Sequence, residues 1–150
     1  MEQAVKIRFT FEGEPDVITS GEQVWAESLG NNLYRLLNIP IRAIGYAEKD
    51  VVRCEERHGM PQVRELVEDS GNGTIRLYFT DLDSSEAAWL IKELVAIGCS
   101  YERYSAEGLA VTVPANLKVS FERLANFLNQ ASAVNTWEVA KRPGATIVEK

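Results

Sequence analysis

The sequence predicts an α+β protein in two parts, β-rich over residues 1–72 and a mixture of strands and helices over residues 73–150. Three observations carry this expectation. Thr74 to Thr80 alternates apolar and polar side chains, the period of a strand with one buried face. Two later stretches, Ala87 to Ile97 and Phe121 to Ala131, place apolar residues at helical spacing. The first half instead offers short alternating runs divided by Gly, Asn and Pro turns. At 150 residues and 45% hydrophobic content, the chain has material for one ordinary domain or two small sub-domains sharing a core, with no need of a metal or disulfide staple.

In chain order, Lys6 to Phe11 alternates as a strand, and Glu12-Gly13-Glu14-Pro15-Asp16 is a polar loop. Gln23 to Leu29 suits a helix by its Glu and Ala and a strand by its Val and Trp. Gly30-Asn31-Asn32 decides for the strand, because such a turn followed by Leu33 to Leu37 favours a hairpin. Asn38-Ile39-Pro40 ends that run. Gly45 and the acidic turn Glu48-Lys49-Asp50 lead into the strand Val51 to Glu55. Arg57 to Pro61 reads as its loop, and Gln62 to Val67 as a further strand. Short strands at such spacing predict a small, partly closed barrel or curled sheet. Ser70 to Gly73 marks the boundary, too short to let the halves move independently.

After the strand at residues 74–80, Asp83 or Ser84 is the expected N-cap of the first helix, with Glu86 in its first turn and Gly98 after its end. Cys99 to Tyr104 and Leu109 to Val113 form a hairpin around Ala106-Glu107-Gly108. The second helix has Asn116 or Ser120 as its cap, and Thr136 to Ala140 is a last strand. The order β-α-β-β-α-β is that of the ferredoxin-like fold, with both helices on one face of an antiparallel sheet.

The charge narrows the partners. The net charge is −6, and it is uneven, with 13 acids against 8 bases in residues 1–73 and 9 against 8 in residues 74–150. Lys141-Arg142 is the sole basic pair, which argues against phosphate and nucleic-acid binding. No apolar run approaches a membrane span, and Met1 to Lys6 lacks a signal-peptide core. Two cysteines and no secretory signal fit a reducing, cytoplasmic setting. A protein partner with a basic surface suits the field best. Glu48, Asp50, Glu55, Glu56, Glu65, Glu68 and Asp69 form the densest acidic stretch and are the expected partner-binding residues.

Three patches resemble a known family. They are Val24-Trp25-Ala26-Glu27, then Leu33-Tyr34-Arg35-Leu36 with Asn38-Ile39-Pro40, then Gly45 ahead of Asp50-Val51-Val52. Their order and spacing resemble the bacterial family designated domain of unknown function four-two-six-five, over roughly residues 6–140. Ile41 departs from its pattern, standing where an aromatic often follows the proline. The resemblance implies a fold and a bacterial origin, and no activity. By analogy alone, small acidic proteins of this kind serve as immunity proteins beside toxins.

No motif assigns a catalytic residue, a metal or a cofactor. Cys54 and His58 are the nearest Cys–His pair, yet they read as strand and loop, with no third orienting group or oxyanion hole. Cys54, His58 and Cys99 make at most three zinc ligands, without CxxC spacing. Asp81, Asp83 and Glu86 are the acids that a helix N-terminus attracts. Tyr78, Tyr101 and Tyr104 offer stacking area on a sheet, but Glu102 and Glu107 oppose phosphates. Trp25, Trp89 and Trp137 are expected in the core or between the halves. The expected function is therefore a non-enzymatic acidic binding protein, an immunity-type inhibitor covering the basic surface of a toxin domain. The alternative is a small-molecule-binding regulatory domain.

Overall fold

A computed structural model of the chain describes residues 4–15, 17 and 20–144. Met1 to Gln3, Asp16 of the expected polar loop and the tail beyond Gly144 lie outside the described residues.

The first five strands, β1 (Ala4–Phe9), β2 (Glu22–Gly30), β3 (Leu33–Leu36), β4 (Val51–Arg57) and β5 (Met60–Glu68), form a closed barrel. Each runs antiparallel to the next, so the first and fifth point the same way and their seam is parallel. That seam is held by one register pair, Arg8 with Gln62. Alternation fills the interior with Ile7, Phe9, Val24, Ala26, Leu36, Val52, Cys54 and Val63. Two hairpins close on two-residue turns with both residues at positive φ, Asn31-Asn32 and His58-Gly59. Such turns match the right-handed twist of the strands they join, and Asn and Gly tolerate them best. The second turn is tighter than the loop the sequence suggests, since Met60 and Pro61 already belong to β5.

The remaining elements are β6 (Gly73–Phe79), α1 (Ser85–Ala96), β7 (Ser100–Arg103), β8 (Gly108–Val113), α2 (Phe121–Gln130) and β9 (Val134–Lys141). The four strands form an antiparallel sheet in the order β7-β8-β6-β9. Of the expected caps, Ser84 and Ser120 act, accepting from the backbone N–H of Ala87 and Arg123. One face of the sheet, Ile75, Leu77, Phe79, Leu109, Val111 and Val113, shares a core with Leu90 and Leu94 of α1 and with Leu124 and Leu128 of α2.

The opposite face is covered by the barrel's own β3–β4 connection. Thr74 Oγ1 donates to the Tyr46 carbonyl at 2.9 Å and Thr112 Oγ1 to Glu48 Oε1 at 3.0 Å. The Arg76 guanidinium donates to the Ile41 carbonyl. Thr74, Arg76 and Thr112 are consequently buried. The part of that face around Thr74, Arg76 and Thr112 is thus occupied by residues 41–48 and closed to stacking ligands.

Two of the three tryptophans differ from expectation. Trp25 lies on the barrel exterior beneath the Lys6 ammonium, and Trp89 is exposed on α1 beside Phe127. Trp137 is partly buried and donates from Nε1 to Asn129. The outer faces of a strand and a helix leave room for amphipathic rings that pack along one edge only.

Candidate functional site

The seven acids of the expected partner surface divide into two groups. Glu55, Glu56, Glu65 and Glu68 are exposed on β4 and β5. Cross-strand arginines answer two of them, Arg64 Nε meeting Glu55 at 2.6 Å and Arg53 Nε meeting Glu65 at 2.7 Å. Among the described residues, Glu56 and Glu68 have no ion pair. Register shifts in the β4–β5 ladder leave Arg64 and Val67 without a direct partner. The shift at Val67 turns Val67 and Glu68 outward together.

Asp50, Asp69 and Glu48 face the other way, into the seam between barrel and sheet. Asp50 is 0% exposed. Its carboxylate accepts from the Ala47 N–H at 2.9 Å, the Ser70 N–H at 2.8 Å and Ser70 Oγ at 2.7 Å. Lys141 Nζ lies 3.0 and 2.9 Å from its two oxygens and 2.7 Å from Asp69. Asp50 therefore cannot touch an outside protein, and its place in the expected belt is corrected. A turn acid looks solvated in sequence, and only the fold reveals the lysine, 91 residues away, that takes it inside.

A bulge delivers that lysine. Thr74 pairs with Lys141 and Ile75 with Val139, so Ala140 is an extra residue in β9. The phase slip turns consecutive residues inward, Ala140 and Lys141 both being buried. It also leaves the Ala140 carbonyl free to accept from the Gly45 N–H at 2.8 Å. Bulges of this kind re-aim single side chains at the ends of sheets.

Glu102 of β7 completes the seam. Burial raises its carboxyl above the ordinary range, the nearby Glu48 adds to the rise, and bonds from Asn38 and Ile39 oppose it. A carboxyl with a raised folded pKa binds protons more readily folded than unfolded. Its contribution is thus fully present below the ordinary carboxylate range and is lost as pH rises through the folded value. Glu102→Gln should raise the thermal midpoint at pH 7 by about 1–2 °C and leave it unchanged near pH 4. Midpoints that differ equally at both pH values would exclude ionisation as the cause.

The remaining reactive groups are dispersed. Cys54 lies inside the barrel and Cys99 in the helix-covered core, both as free thiols. Burial pushes Cys54 up to about 12 and Cys99 up to about 11, so neither is a thiolate near neutral pH. His58 is exposed at the β4–β5 turn. No cluster of three metal-ligating side chains exists among the described residues. Asp81 accepts from the Asp83 N–H, and Asp83 pairs with Arg103 at 2.9 Å, while Ser84 does the capping. Tyr78 and Tyr104 pack edge to face, centroids 6.4 Å apart.

A groove of about 400 Å³ opens at the barrel seam, lined by Phe9, Phe11, Arg42, Ile44, Tyr46 and Arg64 among others. These residues come from three separate segments, so no local pattern announces them.

The molecule is thus a five-stranded barrel joined to a helix-covered sheet, with its conspicuous polar chemistry at the junction. The chain belongs to the family described as domain of unknown function (DUF4265), whose sequence profile matches residues 22–139. The chain is also similar to the crystal structure of a hypothetical protein from Neisseria gonorrhoeae. The two share 17% identity at a TM-score of 0.70, over 94% of this chain and 96% of the other. At that identity the likeness is one of fold. No curated protein matches the chain. No helix among the described residues is long and apolar enough to cross a membrane.

Proposed function

We propose that the chain is a non-catalytic protein-binding module of the immunity-inhibitor type, which meets a basic partner such as a toxin domain through its β4–β5 hairpin. The observation that carries this reading is the outward placement of Glu55, Glu56, Glu65 and Glu68 along one hairpin, with Val67 exposed next to Glu68 at its open end. An acidic hairpin with an exposed apolar residue at one end suits a basic surface better than a nucleic acid or a membrane. Burial of both thiols fits a binding role and a cytoplasmic setting better than nucleophilic chemistry. We read the sheet of residues 73–141 as ferredoxin-like, a reading supported by its element order and by the strand order β7-β8-β6-β9. In this reading the sheet is scaffold and the barrel carries the contact.

The test is co-purification with the product of the adjacent gene, followed by association kinetics at two salt concentrations. Glu56→Lys with Glu68→Lys should lower the on-rate about tenfold at low salt and flatten its salt dependence. Absence of a complex, or a complex indifferent to both reversals, overturns the reading.

A further inference from the structure

We infer that the groove at the barrel seam is a binding site for a small organic monoanion, a flat apolar body bearing one carboxylate. This inference does not rest on the hairpin reading above, although the Arg64–Glu55 pair borders both sites.

The groove exists because the barrel closes by a single rung. Beyond the Arg8–Gln62 pair, β1 ends at Phe9 while β5 continues to Glu68. The strands part there, and the 42–46 segment lies across the gap. Its size, about 400 Å³, falls in the range of small-molecule sites, which combine apolar walls with a few polar groups. Phe9 and Tyr46 meet edge to face with centroids 4.9 Å apart, and Ile44 is 63% exposed at the rim.

The 42–46 wall is anchored before any ligand arrives. The Glu22 carboxylate accepts from three successive backbone N–H groups, Ile41 at 2.5 Å, Arg42 at 3.0 Å and Ala43 at 3.1 Å. Ala43 is buried in the barrel core. Arg42 and Ile44, on either side of Ala43, are therefore presented from a fixed backbone, which lowers the ordering cost of binding.

Charge selects the ligand. The Arg42 guanidinium lies 4.2 Å over the Phe11 ring, and Arg64 borders the same groove. Arg42 pairs with Glu14 and Arg64 with Glu55. Both are surface pairs, of the kind that contributes little to stability and exchanges cheaply for an incoming carboxylate. Within the groove that carboxylate is partly desolvated and can be held bidentately by a guanidinium. Glu12, exposed at the loop end of the groove, opposes a second negative charge. A single carboxylate that takes the place of Glu14 or Glu55 on a guanidinium suits this balance better than a dianion does.

The experiment is a titration of the full chain with 2-naphthoate and with uncharged 2-naphthol, followed through backbone amide shifts. Saturable naphthoate binding is expected with Kd below about 1 mM, and shifts concentrated at Thr10 to Gly13 and Arg42 to Tyr46. Naphthol should bind about tenfold more weakly. Arg42→Gln and Arg64→Gln should each weaken naphthoate about fivefold and leave naphthol unchanged, since each removes one charge-assisted contact. The naphthoate–naphthol comparison on the unaltered chain stands whatever either variant does to folding. Equal affinity for the two probes, no saturation by 10-fold above that Kd, or shifts centred on the helices would overturn the inference.

Discussion

Lys141→Met is expected to destabilise the protein by about 3–5 kcal/mol, the usual consequence of stripping a buried charge of its partner. Asp50 is wholly buried, and the side chain of Lys141 is only 7% exposed. The three N–H and O–H donors around Asp50 remain in the variant, so its hydrogen bonds survive while its countercharge does not. Met preserves the length of the aliphatic stem, which keeps packing loss small. Urea unfolding at pH 7 measures the effect. Asp50→Asn on top of Lys141→Met should recover part of the loss, because a neutral amide needs no ammonium. A double-mutant cycle then isolates the coupling of the two groups. A loss below 1 kcal/mol in the single variant would mean that water reaches the pair.

Gly73→Ala should cost about 2–3 kcal/mol, the scale of overpacking against parts that cannot yield. A Cβ on Gly73 would sit 2.6 Å from the Lys141 carbonyl oxygen and 2.6 Å from the Pro143 nitrogen, both backbone atoms. The constraint is proximity of chain to chain, because the φ of Gly73 is not among the positive ones. The clash falls on the residue that carries the buried ammonium, so the two substitutions act on one structure. Their combination should be less than additive, and thermal unfolding of the single and double variants reads this directly. Full additivity would show that the Gly73 neighbourhood and the ion pair are separate.

How much of this was legible depends on how local each cause is. The hairpin at Asn31-Asn32 and the two helices are written in adjacent residues, and so are their caps to within two candidates each, Asp83 or Ser84 and Asn116 or Ser120. A partly closed barrel or curled sheet was legible in the strand spacing, but full closure was not, since its β1–β5 rung pairs residues 54 positions apart. Charge patterning cannot distinguish Glu68, which points outward, from Asp50, which points in. The slip at Val67 turns Glu68 outward and the bulge at Ala140 brings Lys141 to Asp50, and one-residue phase slips leave no mark in composition. The groove was invisible for a similar reason: Phe11, Arg42 and Arg64 are ordinary residues until three segments converge.

The single-rung seam and the Lys141 anchor bear on how the protein can be trimmed for the bench. The family profile spans residues 22–139, a natural choice of fragment to express. Such a fragment lacks all of β1, so the barrel loses a stave and both its neighbours become open edges. It also ends two residues short of Lys141, leaving Asp50 sealed in the seam without its countercharge. Exposed strand edges template pairing between copies, so the fragment should aggregate more readily than the full chain. Boundaries for any truncated version belong outside residues 4–144, where β1 and the ammonium are both kept.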